Sequence, residues 1–274
     1  MANENGDAPD TSASPPSSKP RGRLPQRRYA VTPAAASEYK RVASTFVAAF
    51  WDDPFVNYVL RTERLSPTAK RALYSAYYTH AVWECFALGG TVWVVRDVDH
   101  EAELANSAAT HVRRGATTVF VAAATWYNVY GDRRYHDLDL GVVASLLSRH
   151  YVRVEVLTWW YQCRRRLSGA MKRLAAVRDS YVTRHQLVSD DTVLWYLDDL
   201  GAVPEVHGQG VGTQLLSHCL EQLRQPHAVF YLESSNVANR GFYRKHGFEI
   251  VDSEDVSRGK SKSPIVVDAM VRAN

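Results

Sequence analysis

The sequence predicts a mixed α/β fold, and three neighbouring segments in its second half indicate this class. Residues 192–203 are β-branched, aromatic and apolar, which is typical of a buried strand, and Pro204 ends it because proline cannot donate a ladder hydrogen bond. Residues 211–223 carry apolar side chains at helical spacing, and another apolar run follows at 228–233. A strand, a crossover helix and a second strand form a right-handed βαβ unit with parallel strands.

The same criteria predict the remaining elements in chain order. Further strands are expected at residues 29–31, 91–95, 116–126, 248–252 and 265–271. The first helix is expected to be capped by Thr32, to begin at Pro33 and to end at about residue 50. Further helices are expected at 66–88, 138–150, 151–182 and 236–246. Residues 100–115 show no clear period, and we interpret them as a loop with some helix.

Composition limits the class of protein. A chain of 274 residues with 46% apolar residues can bury one large core, and a net charge of +4 does not by itself imply nucleic-acid binding. Three cysteines without C-x-x-C spacing indicate neither a disulfide framework nor a zinc site, so we expect no metal and a cytoplasmic location. No apolar run approaches the ~18 residues of a membrane span, and no secretory signal is evident.

The first 26 residues are expected to form a disordered tail, because they are rich in Ser, Pro, Ala and charged residues. The basic residues from Lys19 to Arg28 leave two interpretations, a nuclear signal or a solvated tail that leads into the domain. The rest of the chain, 27–274, is interpreted as a single domain.

Three glycines in five residues separate the strand at 192–203 from the helix at 211–223. Gly208, Gly210 and Gly212 leave no Cβ in the way, and a helix N-terminus offers free N–H groups and the positive end of the helix dipole. This arrangement is typical of a site for a phosphate or pyrophosphate group. The alternative is a glycine-rich turn that only starts a helix.

Two known phosphate motifs fit this loop poorly. The phosphate loop of nucleotide triphosphatases ends in Gly-Lys-Ser/Thr, and this glycine-rich segment contains no lysine. The dinucleotide fingerprint is closer, since Gly208 and Gly210 open it and Glu233 follows at the distance of a ribose-binding acid. However, Thr213 occupies the position of its third glycine.

The spacing His207-Gly-Gln-Gly-Val-Gly212 resembles the acyl-CoA signature of the GNAT acetyltransferase superfamily, with His207 in place of the usual Gln or Arg. The segments Ala228–Glu233 and Asn239–Phe248 resemble that family's fifth strand and its following Asn…Phe-Tyr-x-x-x-Gly-Phe motif. Within the superfamily, residues 192–250 are most similar to the puromycin N-acetyltransferase type.

The resemblance implies a fold and a cofactor. The fold would be a twisted, mostly antiparallel sheet of six to seven strands, with helices on both faces and a helical insertion at about 131–191. The parallel strand pair would splay apart to admit acetyl-CoA as co-substrate. The residues that would contact this cofactor are Leu200, Gly201, Ala202, His207, Gly208, Gln209, Gly210, Val211, Gly212, Thr213, Asn239 and Tyr243.

The resemblance also implies direct transfer of an acetyl group to an amine, without a covalent enzyme intermediate. Tyr243 matches the tyrosine that protonates the departing thiolate in many family members, and exposed backbone at residues 200–202 would face the oxyanion. The residue that acts as general base could be Glu233, which matches a glutamate of the puromycin-type enzymes, or else Asp198 or Asp199. Because strand side chains alternate, we expect only one of these two aspartates to face the acceptor cleft.

Several functions remain compatible with the sequence. The preferred one is an acetyl-CoA-dependent N-acetyltransferase that acts on a small amine, with no nucleic-acid or membrane partner. The alternatives are a protein or peptide acetyltransferase, such as one for histones, and a non-catalytic CoA-binding protein. The loop after the first helix would border the acceptor site, where Phe50, Trp51, Phe55 and Tyr58 either line a pocket or belong to the core. The basic segment 164–173 is a solvated helix face, or it contacts the CoA 3′-phosphate or an acidic partner.

Overall fold

The computed structural model describes residues 27–108, 120–128, 148–187, 192–259 and 263–273. The predicted tail 1–26, the start of the strand predicted at 116–126 and most of the helix predicted at 138–150 lie outside these residues. None of the helices within the described ranges is long and apolar enough to cross a membrane.

Seven strands of the described chain form one sheet. They are β1 (Tyr29–Pro33), β2 (Thr91–Asp97), β3 (Ala122–Asn128), β4 (Val193–Ala202), β5 (Ala228–Ser234), β6 (Glu249–Asp255) and β7 (Val266–Ala273). Their order across the sheet is β1-β2-β3-β4-β5-β7-β6. Every neighbouring pair is antiparallel except β4 and β5, which run parallel, so the predicted βαβ unit and the mixed α/β class are confirmed.

Helices cover both faces of the sheet. They are α1 (Tyr39–Ala49), α2 (Pro54–Val59), α3 (Pro67–Ala87), α4 (Val98–Ala108), α5 (Arg149–Trp160), α6 (Arg164–Arg184), α7 (Val211–Gln222) and α8 (Arg240–Lys245). The prediction of α3 is confirmed, including its cap, where Ser66 Oγ accepts a hydrogen bond from the Ala69 N–H at 3.2 Å. The single helix predicted at 151–182 is wrong, because Gln162 adopts a φ of 55° between α5 and α6.

The predicted start of the first helix is also wrong. Thr32 and Pro33 continue β1, in which Pro33 lies opposite Trp93 of β2, and α1 begins only at Tyr39. The strand tolerates proline because β1 lies at the edge of the sheet, where a missing backbone donor leaves no ladder bond unmade. Residues 100–115 were expected to be a loop with some helix, and their first part lies in the helix Val98–Ala108.

The core is divided by the sheet into two halves. On one face, α1, α3 and α6 bury side chains such as Phe46, Tyr78 and Leu174 against the sheet. On the other face, α7 buries Leu215 and Leu216 together with residues of β3, β5 and β7. This division decides which helices can line a cleft on each face.

The parallel pair opens at its carboxyl ends. The pairing of β4 with β5 ends at Leu197 and Leu232, although β4 continues to Ala202 in contact with β3. The β5-facing edge of β4 therefore has no strand partner over residues 198–202 within the described structure. This is the splay that the resemblance implied.

Candidate active site

The glycine turn has the backbone conformation that its composition predicts. Gly208 and Gly210 have φ values of +75° and +80°, in the left-handed region that other residues adopt only with strain. A Cβ added at either position would meet no atom within 4 Å. The two glycines therefore serve the turn of the backbone, and the space above them is open.

The side chains of this turn are held by the protein itself. Gln209 Oε1 accepts a hydrogen bond from the Tyr29 hydroxyl at 2.9 Å, and its amide nitrogen donates to the Glu205 carbonyl. The ring Nε2 of His207 lies 2.9 Å from the Ala202 carbonyl oxygen, and the His207 N–H donates to Pro204. Both residues thus brace the loop against β4 and β1.

The start of α7 fits an anionic group. Gly210 is its N-cap without any side-chain cap, and the first helical bond runs from the Gln214 N–H to the Gly210 carbonyl at 2.9 Å. The N–H groups of Val211, Gly212 and Thr213 precede that bond and point out of the helix end. With open space above the turn, these residues suit the pyrophosphate of a CoA thioester.

The next predicted contact, residues 200–202, lies where β4 has left β5. Gly201 has a structural reason to be glycine, since a Cβ there would lie 2.7 Å from the Ala49 side chain and 3.1 Å from Phe50. Because Gly201 has no Cβ, α1 can pack directly on β4. The strand edge beside the splay is therefore held rigidly, as an oxyanion contact requires.

A β-bulge changes the predicted orientation of the two aspartates. Trp126 of β3 pairs with Leu197, but the preceding Thr125 pairs with Asp199, so Asp198 is an extra residue in β4. Because an inserted residue breaks strand alternation, both carboxylates line the same cleft on the α1 and α3 face of the sheet. The expectation that only one of them faces the cleft is wrong.

The cleft raises the pKa of both carboxyl groups. Burial, followed by the negative charges of Glu84 and Glu233, raises the pKa of Asp198 to about 7. Burial and the charges of Asp198 and Asp53 raise the pKa of Asp199 well above its usual range. Two neighbouring carboxyl groups of this kind share protons, so one of them is neutral near physiological pH.

Asp53 is a third carboxylate in this cleft, and sequence reasoning missed it. It is the N-cap of α2, where its Oδ1 accepts from the Val56 N–H at 2.9 Å, and its Oδ2 accepts from the Ser235 hydroxyl at 2.7 Å. Burial raises its pKa despite these hydrogen bonds. The signal in the sequence was an Asp-Pro helix start, which predicts a cap but gives no sign of contact with β5.

Glu233 lies at the end of β5 between two phenols. Its carboxylate oxygens accept hydrogen bonds from the Tyr196 hydroxyl at 3.0 Å and from the Tyr231 hydroxyl at 3.1 Å. Burial raises its pKa, while the positive charge of Arg178 and the two phenols oppose that shift. Because both of its oxygens are engaged, Glu233 is better placed to contribute negative charge than to collect a proton.

Tyr243 closes the cleft from the helix α8. Its side chain is 7% exposed, with its ring centroid 5.0 Å from that of Phe242 and 6.0 Å from that of Phe248. Burial, then the charges of Asp199 and Asp53, raise its pKa, so the phenol keeps its proton. The aromatic ring is fixed by packing, while the hydroxyl group has no hydrogen-bond partner among the described residues.

Asn239 lies in the same cleft, at the N-cap position of α8, but its side chain makes no capping hydrogen bond. It precedes α8 without any side-chain cap bond, whereas Asn236 caps the turn before it by accepting from the Ala238 N–H at 3.0 Å. Asn239 is therefore available to a ligand, which is compatible with its predicted cofactor contact.

Together these residues form one pocket beside the splay. It contains about 100 Å³ of free space. Its polar lining comprises Asp53, Asp198, Asp199, Glu233, Ser234, Ser235, Asn239 and four tyrosines, Tyr77, Tyr78, Tyr196 and Tyr243. Of the four aromatic residues left open between pocket and core, Phe50 and Phe55 line the pocket, whereas Trp51 packs on Tyr74 and Tyr58 lies in the core.

Other candidates lie elsewhere. The basic segment 164–173 belongs to α6, which packs on the face of the sheet opposite α7, so the structure does not bring it to the glycine turn. The three cysteines are free and buried. Within the described ranges, no three His, Cys, Asp or Glu side chains are placed to hold a metal ion.

Comparison with known proteins finds a family match over part of the chain. Residues 174–250, from α6 to β6, match the family model of the acetyltransferase (GNAT) domain. The matched segment contains the glycine turn and Tyr243. The match supports the predicted acetyltransferase activity, whereas the narrower likeness to the puromycin type stays a prediction. A search of the curated proteins finds no significant match.

Solved structures share the GNAT fold. A Corynebacterium glutamicum protein described as histone acetyltransferase HPA2 and related acetyltransferase is 16% identical over 89% of this chain and 95% of its own, with a TM-score of 0.50. The C-terminal condensation domain of Ebony, in complex with β-alanyl-dopamine, is 10% identical over 90% of this chain and 100% of its own, also with a TM-score of 0.50. A mosquito arylalkylamine N-acetyltransferase like 5b is 14% identical over 90% of this chain and 100% of its own, with a TM-score of 0.49. At these identities the likeness concerns the fold.

Proposed function

We propose that this GNAT domain uses acetyl-CoA to acetylate a small, positively charged amine. The observation that carries the proposal is the pocket at the splay of β4 and β5, where carboxylates and Tyr243 meet. The glycine turn would hold the pyrophosphate, and the open edge of β4 would hold the acyl end. When bound, acetyl-CoA supplies the acetyl group as an activated thioester.

The charge of the pocket favours a cation. Four of its lining residues are acidic, namely Asp53, Asp198, Asp199 and Glu233, and no Lys, Arg or His is among the described residues that line it. An ammonium group is attracted to such a site and lowers the cost of keeping carboxylates ionised there. A hydroxyl acceptor would gain nothing from this charge, so the pocket favours N-acetylation over O-acetylation.

The walls of the pocket favour an acceptor with an apolar body. The rings of Phe50 and Phe55 line one side, and Tyr77 and Tyr78 from α3 line another. Such walls bury an alkyl or aryl group, while a few polar groups fix its orientation. Two of the compared structures have different descriptions: one is a histone acetyltransferase, and the other is a condensation domain in complex with β-alanyl-dopamine. The fold alone therefore does not determine the acceptor.

Different residues of the pocket would remove the proton of the amine and protonate the departing thiolate. Asp198, whose pKa is about 7, is ionised often enough to take the proton that the ammonium group must lose before it attacks. Tyr243, whose pKa is raised, keeps its proton until a strong base such as a departing thiolate lies against its hydroxyl group. Asp199 and Asp53 would hold the amine between these two groups.

The test is a direct transfer assay with the purified full chain, acetyl-CoA and a panel of acceptors. The panel contains phenylethylamine, a diamine, an amino alcohol, a neutral alcohol and a lysine-containing peptide. Thiol release and the mass of the product report transfer. We expect kcat/KM for the small amines to exceed that for the peptide by at least about tenfold, or roughly 1.4 kcal/mol.

A matched variant separates chemistry from binding. Tyr243→Phe keeps the packing against Phe242 and Phe248 but removes the hydroxyl group, so we expect lower kcat with nearly unchanged acetyl-CoA affinity. Preference for the peptide would instead make the chain a protein acetyltransferase. Acetyl-CoA binding without transfer to any acceptor would make it a non-catalytic CoA-binding protein.

A further inference from the structure

One side of α5 exposes four large apolar side chains. Val152, Val156, Trp159 and Trp160 are 53%, 56%, 70% and 69% exposed. Their spacing of four, three and one residues places them on one side of the helix, which we term the tryptophan face. Two adjacent exposed tryptophans form an apolar surface that a protein facing only water rarely keeps.

The orientation of the tryptophan face is fixed by the opposite side of the helix. Val154 and Thr158 are buried, and α5 packs along α3. His150 contacts Tyr39 of α1 and Trp83 of α3, with ring centroids 5.4 and 5.9 Å apart. Because α5 is anchored along its inner side, it cannot rotate to hide the tryptophans in this core.

The charges around the tryptophan face are positive. Arg149 and Arg153 are exposed on the same side of α5, and Arg164 and Arg165 are exposed just beyond its end. The one acidic residue of α5, Glu155, lies to the side and is paired with Arg164 at 2.8 Å. Among the described residues, Arg149 and Arg153 form no ion pair, so the face combines apolar area with net positive charge. Its partner should therefore be apolar and anionic.

We propose that the tryptophan face docks on an anionic lipid surface. Tryptophan suits the interface of a bilayer because its ring is apolar and its N–H remains hydrogen-bonded, and nearby arginines meet lipid phosphates and carboxylates. A second copy of this chain fits less well, because a two-fold contact would bring Arg149 and Arg153 of both copies together. The inference is independent of the proposed substrate.

The position of α5 gives this docking a use. The helix packs against α3 and α6, and these two helices supply Tyr77, Tyr78, Met171 and Leu174 to the acceptor pocket. Docking would therefore bring the acceptor side of the enzyme towards the lipid. Amines with an apolar body, which the pocket suits, concentrate at such a surface.

The test is co-sedimentation of the full chain with lipid vesicles at moderate salt. Vesicles of phosphatidylcholine with about one third phosphatidylserine are compared with vesicles of phosphatidylcholine alone. We expect binding to the anionic vesicles and at least about tenfold weaker binding to the neutral ones, with the anionic binding reduced by added salt.

Three variants assign the binding to this face. Trp159→Ser with Trp160→Ser should lose most of the binding, and Arg149→Ser with Arg153→Ser should weaken it and reduce its dependence on salt. Val251→Ser, at an exposed apolar residue of β6, is the matched control and should bind as the parent does. Circular dichroism and acetyl-CoA binding verify that each variant is folded.

Three results would overturn the proposal. They are a parent chain that stays in the supernatant, a double tryptophan variant that binds as well as the parent, and a parent that forms a dimer which the double tryptophan variant abolishes. The last would assign the face to a second copy.

Discussion

The carboxyl group of Asp198 enters the acceptor pocket because β4 has one residue more than β3 opposite it. In a regular strand, Asp198 and Asp199 would point to opposite faces, and only one would meet the substrate. The bulge places both in the pocket, where burial and then the surrounding negative charges raise their pKa values. A local irregularity of the backbone thus creates a group that titrates near neutral pH.

This pKa predicts the pH dependence of the reaction. As a general base, Asp198 must be ionised, so kcat/KM of the parent should rise with pH through an inflection near 7. Asp198→Asn should lower kcat/KM by about 10²- to 10⁴-fold and remove this inflection. The rates should be measured with two amines of different basicity, so that the titration of the acceptor is distinguished from that of the enzyme.

Glu84→Gln is the control for the cause of the shift. Glu84 lies in α3 and raises the pKa of Asp198 by its charge. Removing that charge makes Asp198 easier to ionise, so the inflection should move to lower pH while the plateau rate is kept. An inflection that stays in Asp198→Asn, or does not move in Glu84→Gln, would assign the base to another group.

At the residue scale, sequence reasoning found the groups that a motif marks and missed those that tertiary contacts create. The Asn-x-x-Phe-Tyr spacing led to Tyr243, which lies in the pocket. No local pattern could reveal that Asp53 would reach Ser235, 182 positions away in the chain. The bulge at Asp198 depends on the register with β3, which a single strand does not encode.

At the scale of elements, the best-predicted part of the molecule is the strand, turn and helix that surround the glycines. Here local rules agree with one another, since a proline ends the strand, glycines permit positive φ, and helical spacing follows. The errors lie where the tertiary context decides. Pro33 looked like a helix start because of Thr32 before it, but its place on an edge strand is set by pairing with β2.

The glycine turn predicts a difference between two similar substitutions. A Cβ at Gly210 or at Gly241 would meet no atom within 4 Å, but only Gly210 has a positive φ. Gly210→Ala should therefore lower the free energy of unfolding by about 1–2 kcal/mol. It should also weaken acetyl-CoA binding by roughly tenfold, because the new methyl group fills the space above the turn.

Gly241→Ala is the matched control, since it adds the same methyl group within α8. It should leave acetyl-CoA binding unchanged and raise stability by up to about 1 kcal/mol, because alanine is the better helix former. Calorimetry with acetyl-CoA and denaturant unfolding measure both quantities. Equal effects at the two sites would remove the turn from the cofactor site.

At the scale of the whole molecule, the carboxylates fall into two groups with opposite effects on stability. Those of the pocket have raised pKa values, so folding disfavours their ionised forms. Asp268 behaves in the opposite way. Burial alone would raise its pKa, but hydrogen bonds from Arg240 at 2.5 and 2.8 Å and from Ser253 at 2.7 Å hold it below the usual value.

This contrast predicts that Asp199→Asn stabilises the protein and Asp268→Asn destabilises it. The folded pKa of Asp199 is raised, so its stabilising contribution is present below the unfolded pKa near 4 and is lost as pH rises. An asparagine keeps the neutral form, so Tm should rise at pH 7 by about 2–4 °C for each kcal/mol regained. The gain should shrink towards pH 4, and activity should fall because the pocket loses a carboxylate.

For Asp268 the sign is reversed, because its lowered pKa stabilises the fold above the unfolded value and that stabilisation is lost only as pH falls through the folded value. Asp268→Asn also leaves Arg240 without its bidentate partner. Its Tm should therefore drop at pH 7, and the difference from the parent should narrow in acid. Thermal unfolding of both variants at pH 7 and pH 4 makes the comparison. Shifts of the same sign at pH 7 would contradict the view that the pocket keeps its acidic residues at the expense of stability.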